Sequence, residues 1–195
     1  GASAGPGAAA RGARTARRAM MFERFTEKTI KAVMLAQSES RRLKLDYVGT
    51  EMLVVGIVAE GTDTGSRVLE TQLNVTLVAA MAALDEDVGT GDGGKALEIP
   101  FTAGAKHVLE DAIECAKDQG SSSVGTAHLL RAVLRREDGN GVRLLSKLLS
   151  CDTPQATIER VAAALDREER PAGGAAGGAG VQLLPEEMQA LKASI

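Results

Sequence analysis

Three places in this chain carry residue types that could do chemistry. Gly89-Thr-Gly-Asp-Gly-Gly94-Lys95-Ala96 follows most of the phosphate-loop pattern, in which a glycine-rich turn cradles a nucleotide and a final Ser or Thr hydroxyl holds Mg2+. The pattern fails at its last position, because Ala96 has no hydroxyl. No apolar strand leads into the loop, and Pro100 stands where a phosphate-binding helix would be running. The segment therefore reads as a linker, and no cofactor is expected. His107, Asp111 and Cys115 lie four residues apart, so they share one helical face and carry metal-ligating atoms. Three ligands on one helix rarely close a metal site, and no metal is expected. Thr50-Glu51 is the third place. A carboxylate at a helix start either takes a guanidinium in a bidentate fork or simply favours the positive end of the helix dipole. No nucleophile elbow of the GxSxG kind appears, and His107 and His128 have no evident Ser or Cys partner, so the chain is read as a non-enzyme with no catalytic residues. His128 reads as a helix-start residue.

The elements that position these residues come in two copies, 76 residues apart. Phe25-Thr26, Val48-Gly49-Thr50 and Leu53 recur as Phe101-Thr102, Val124-Gly125-Thr126 and Leu129. Ala36, Gly65, Arg67, Leu69 and Leu73 recur as Ala112, Gly141, Arg143, Leu145 and Leu149. In each copy apolar periodicity predicts four helices. The first copy has a long helix from Thr26-Glu27 through Leu43, a helix capped by Thr50 that is apolar nearly all round, a short one through Val68, Leu69 and Leu73, and one from Thr76 to about Glu86. The second has helices near 102–118, 126–136, 140–149 and 153–168, the last entered at Thr153-Pro154 and containing five extra residues before Ala163-Ala164-Leu165. Lys31, Leu35 and Glu39 are the mates of His107, Asp111 and Cys115 and share no ligand pattern with them. Thr126-Ala127 is the mate of Thr50-Glu51, so one copy has lost its acid.

Composition agrees with an all-α class. The chain has 195 residues, 44% of them hydrophobic, and its four aromatics are Phe22, Phe25, Tyr47 and Phe101, so the core must be Leu, Val, Ile, Ala and Met. Four Arg and no acid fall in the first twenty residues, leaving 19 basic against 26 acidic residues on the remainder, a charge of −7 that repels nucleic acid. The Arg-rich, acid-free start has the composition of an organelle transit peptide or its remnant, with a bland flexible tail as the competing reading. No stretch is apolar enough to cross a bilayer. Cys115 and Cys151 lack any CxxC spacing and read as reduced thiols in or near the core. The runs Arg41-Arg42 and Arg135-Arg136 read as helix ends near carboxyl termini, or as contacts for an acidic partner. The expected organisation is 1–20 transit remnant or tail, 21–165 double repeat (25–87, linker 88–100, 101–165) and 166–195 Gly/Ala tether with a short tail. In that tail Leu183, Leu184, Met188 and Leu191 fall at helical spacing, either as a frayed end or as a tethered peptide that docks on a partner.

Met21-Phe22-Glu23-Arg24-Phe25-Thr26-Glu27-Lys28, with Ala36-Gln37 and Tyr47-Val48-Gly49-Thr50-Glu51 after it, resembles the start of ClpC-type unfoldases. The resemblance spans about residues 21–165, takes in both copies, and is to the Clp amino-terminal (repeat) domain family. It implies an eight-helix bundle built from two pseudo-twofold repeats, the number of helices counted above. An unfoldase continues into ATPase modules, and only thirty residues follow Leu165, so the chain is most similar to the stand-alone ClpT-type accessory proteins of plastid Clp proteases. That resemblance implies the ClpP/ClpR core and a ClpC-type chaperone as partners, no nucleic acid or membrane, and the chloroplast stroma as the location, with a bacterial-type cytoplasm as the alternative. The implied role is docking that aids assembly or regulates chaperone association; a substrate adaptor is the alternative. In some bacterial ClpC-type domains the acids of the two Gly-Thr-Glu turns receive phosphoarginine. The resemblance therefore points to Thr50, Glu51 and Thr126 as binding residues.

Overall fold

The computed structural model describes residues 22–93 and 99–169. Its helices are α1 (Glu27–Arg42), α2 (Thr50–Glu60), α3 (Thr64–Arg67), α4 (Leu77–Val88), α5 (Ala103–Asp118), α6 (Thr126–Leu134), α7 (Asn140–Leu149) and α8 (Pro154–Glu169). A π-helical turn, Val68–Gln72, extends α3. The bounds of α5 are those of α1 moved by the repeat offset, and Thr26 and Thr102 cap them alike, accepting from the backbone N–H groups of Thr29 and Ala105. Even the left-handed residues repeat: Lys44 and Gly120 after the long helices, Asn74 and Ser150 after the third.

The two copies share one core. Within each copy the first helix packs on the second; between copies α2 packs on α7 and α6 on α3. Every backbone tie across the junction has a twin. Phe25 bridges Val124 and Val48 bridges Phe101, both parallel. Thr26 N–H donates to Val124 O at 3.0 Å, and Thr102 N–H to Val48 O at 2.9 Å. Because each tie joins one copy to the other, neither copy closes its own polar backbone alone. Helix α2 is buried at all but one position, as its unbroken apolar run requires.

Two sequence expectations change here. Thr50 and Thr126 do not cap their helices: Gly49 and Gly125 are the N-caps. Each Thr is the first helical residue, and its hydroxyl reaches across the junction. Gly141 N–H donates to Thr50 Oγ1 at 2.9 Å, and Gly65 N–H to Thr126 Oγ1 at 3.0 Å. A Cβ at Gly65 would lie 2.7 Å from Thr126 O, so the copies approach too closely there for any side chain. The five extra residues are also accounted for. Thr76 and Thr153 cap α4 and α8 at an offset of one residue beyond the repeat. The core positions Ala80, Ala83 and Leu84 correspond instead to Val161, Ala164 and Leu165, one helical turn later, so α8 carries an added first turn. Helix α8 also runs on to Glu169, beyond the expected limit at 165.

Candidate functional site

Each helix-start glycine is covered by a carboxylate, but the two carboxylates come from different places. At the first junction Glu51 folds back over its own N-cap: its carboxylate oxygens lie 2.3 and 2.5 Å from where a Cβ on Gly49 would stand. Glu51 is 3% exposed, and its Oε2 has no hydrogen-bond partner among the described residues. Burial pushes its pKa up, against hydrogen bonds from its own backbone N–H and the Asn140 and Thr50 side chains. It sits in the wall between two clefts. A cleft of about 620 Å3 is lined by Tyr47, Gly49, Thr102 and the loop from Arg135 to Asn140, and one of about 320 Å3 by Asp87, Asn140, Arg143 and Lys147. Burial and the charges of Glu51 and Asp46 raise the Tyr47 hydroxyl pKa.

At the second junction Ala127 supplies no acid. Asp63, from the opposite copy, fills the place instead: its Oδ2 accepts from Thr126 N–H at 2.9 Å and from the Thr126 hydroxyl at 2.8 Å. The loop bearing Asp63 is itself tied down by Glu60. Thr62 N–H and Asp63 N–H donate to Glu60 Oε2 at 3.0 and 2.8 Å. Burial raises the Glu60 pKa, but the Thr62 hydroxyl, those two N–H groups and the Lys31 charge outweigh it and hold the pKa below the usual range. The cleft beside Asp63, about 480 Å3, includes Ala127, His128, Gln119 and Glu169. His128 is at the helix start as its position in the sequence suggests, with Gly125 N–H donating to its Nδ1 at 2.9 Å; burial lowers its pKa, so it is a neutral acceptor. Its mate Met52 does the same work through Sδ, 3.0 Å from Gly49 N.

The other candidates are placed as follows. Gly91 N–H donates to Leu43 O at 2.8 Å, packing the start of the glycine-rich segment against the end of α1; residues 94–98 lie outside the described residues. His107 is exposed, Asp111 accepts from Arg136 at 3.0 Å, and Cys115 is buried with its thiol pKa pushed up by burial. Cys151 is a free, half-buried thiol. Arg42 pairs with Glu39 and Asp85, and Arg135 with Glu114 and Asp118. Leu183, Leu184, Met188 and Leu191 lie outside the described residues, as does the Arg-rich start. Asp63 and Glu60 were missed in the sequence, where 61–65 read as a plain loop. The available signal was Asp63 itself, an acid one residue before a helix and the repeat mate of Gly139.

The profile of the Clp repeat (R) N-terminal domain matches residues 24–148. The ATP-dependent Clp protease ATP-binding subunit ClpA homolog of Porphyra purpurea is 47% identical over 128 residues, 66% of this chain and 16% of that protein. The chaperone protein ClpC1, chloroplastic, of Oryza sativa subsp. japonica is 39% identical over 165 residues, 85% of this chain and 18% of that protein. The chain thus spans less than a fifth of the length of these relatives. Among solved structures, the N-terminal domain of the caseinolytic protease associated chaperone ClpD from Arabidopsis thaliana superposes with a TM-score of 0.60 at 29% identity, covering 75% of this chain and 98% of that one. The N-terminal domain of the ClpV1 ATPase from E. coli shares the fold, with a TM-score of 0.58 at 18% identity.

Proposed function

This chain belongs to the Clp repeat (R) N-terminal domain family, and on that premise we propose that it is a non-catalytic accessory subunit of a plastid Clp protease. In this reading it is a ClpT-type protein of the chloroplast stroma that docks on the ClpP/ClpR core and aids its assembly or regulates association of a ClpC-type chaperone. The observation that carries the reading is how the chemically able side chains of the matched region are used. Thr50 and Thr126 brace the copies, His128 serves a backbone N–H, and Cys115 is a buried thiol of raised pKa. What remains for function is surface, so the mechanism is adhesion, and regulation follows from different affinities for different states of the ring. The likeness to chloroplast Clp proteins supports the location. Co-purification of the tagged chain from plastids tests it: ClpP/ClpR subunits are expected in stoichiometric amounts, and a tagged chain that elutes without any Clp subunit overturns it.

A second reading is favoured by one observation, the buried carboxylate of Glu51 with an unfilled oxygen between two clefts. Here the chain is a substrate adaptor and Glu51 anchors a basic or phosphoarginine-bearing segment of the target. Binding to an arginine-phosphorylated protein is expected to fall at least tenfold, about 1.4 kcal/mol, in Glu51→Ala. Unchanged binding removes Glu51 from that role.

A further inference from the structure

We propose that the domain has one ligand cleft, at Glu51, and that the pseudo-symmetric cleft is closed from within by Asp63, whose carboxylate is the resident occupant of the seat at Thr126. The inference rests on the adaptor reading of Glu51 and deepens it. The two junctions share their backbone ties, their bracing Thr hydroxyls and their helix-start glycines. They differ in which side brings the carboxylate. At the first it comes from the helix itself, Glu51, and the facing loop offers Gly139, which has no side chain to contribute. At the second the helix offers Ala127 and the facing loop brings Asp63.

The consequence is electrostatic. Asp63 holds two short bonds to Thr126, and the loop that carries it is fastened by Glu60. It is a satisfied acceptor in a fixed position. Glu169, also in that cleft, is taken by Arg131 and Gln119, and His128 is a neutral acceptor already filled. Nothing there calls for a cation. Glu51 is the reverse: a carboxylate withdrawn from water with an empty acceptor position, a state that costs free energy until a donor arrives. Its larger cleft adds the carboxylates of Glu137 and Asp138, while the two guanidiniums that share it, Arg135 and Arg136, are paired outward with Asp118 and Asp111. The ligand class is therefore a cationic side chain, and a planar guanidinium best matches a carboxylate.

The geometry also provides a handle. Gly49 has an extended backbone, φ −95° and ψ 177°, that alanine adopts without strain, yet the added Cβ would fall on the Glu51 carboxylate. Gly49→Ala therefore lifts that carboxylate off the helix start and into the cleft.

The test is a titration of the 15N-labelled chain with a blocked Gly-Arg-Gly peptide at low salt, followed by backbone amide shifts. The wild type is expected to saturate with shifts at residues 49–52 and 135–140 only. Gly49→Ala is expected to tighten binding several-fold, and Glu51→Gln to abolish it. Asp63→Gly combined with Ala127→Glu rebuilds the first junction at the second and is expected to add saturable shifts at 125–128. Saturable shifts at both junctions of the wild type overturn the closure by Asp63 and leave the Glu51 reading standing. Absence of saturable shifts at 49–52, or their persistence in Glu51→Gln, overturns the Glu51 reading and this inference with it. These outcomes need only the wild type and a near-isosteric variant, so they hold even if the double variant does not fold.

Discussion

The junction at Glu51 and the junction at Asp63 have the same backbone and opposite polar economies. Around Asp63 every acid meets donors: Glu60 gathers the loop and Asp63 gathers Thr126. Around Glu51 the acid is enclosed without enough donors, and its pKa moves up where that of Glu60 moves down. A duplicated fold thus preserves the ties that close the backbone and lets the side chains beside them diverge, since only the former are needed by both copies.

The largest expected effect breaks the satisfied side. Glu60→Ala removes the acceptor of two loop N–H groups and is expected to cost about 3 kcal/mol at pH 7. Because the folded pKa of Glu60 is depressed, its contribution is present above the unfolded value near 4.3 and is lost as pH falls through the lower folded value. Urea unfolding at pH 7 and pH 3 should therefore show the gap between variant and wild type closing in acid.

A smaller effect separates the two bracing threonines. Thr126→Val strands Gly65 N–H and takes both donors' worth of support from Asp63 except the backbone bond, so a loss of about 2 kcal/mol is expected. Thr50→Val strands only Gly141 N–H among the cross-junction groups, with a loss of about 1 kcal/mol. Equal losses would mean that the Asp63 hydrogen bond to the hydroxyl contributes nothing.

Glu51→Gln is expected to stabilise, by about 1 kcal/mol at pH 8. The sign follows from the raised folded pKa: the wild type is most stable below the unfolded pKa of Glu51 and loses stability as pH rises through the folded value, whereas glutamine does not titrate. Thermal unfolding across pH 4 to 8 should show the two melting curves converge in acid and part at neutral pH. A variant less stable than the wild type at pH 8 would mean the carboxylate is satisfied in solution.

The smallest effect is the exchange of one copy's N3 residue for the other's. His128→Met keeps an acceptor near Gly125 N–H and is expected to change stability at pH 8 by less than about 0.5 kcal/mol. The lowered His pKa means that wild-type stability, complete above pH 6.5 or so, falls as pH drops through the folded value. The methionine variant should lack that decline.

Much of this architecture was legible from the residues. Apolar spacing located all eight helices, because a helix that must bury one face writes its period into the chain. Pro154 at the first position of α8 and the caps Thr26, Thr76 and Thr102 were equally readable, since they act on neighbours three residues away. Thr50 and Thr126 were misread as caps for the same reason in reverse: their acceptors are used by N–H groups 91 and 61 residues distant, and no local pattern records that. The pairing of Asp63 with Thr126 was invisible on similar grounds.

By itself, then, the sequence determined the duplication, the helices and the loss of an acid at Ala127, all of which depend on residues close in the chain or on copies compared by offset. Only the tertiary structure decided that Asp63 takes the vacant place while Glu51 is enclosed with an oxygen unfilled. Burial and hydrogen-bond satisfaction are properties of groups brought together by folding, and here the groups that matter come from opposite copies.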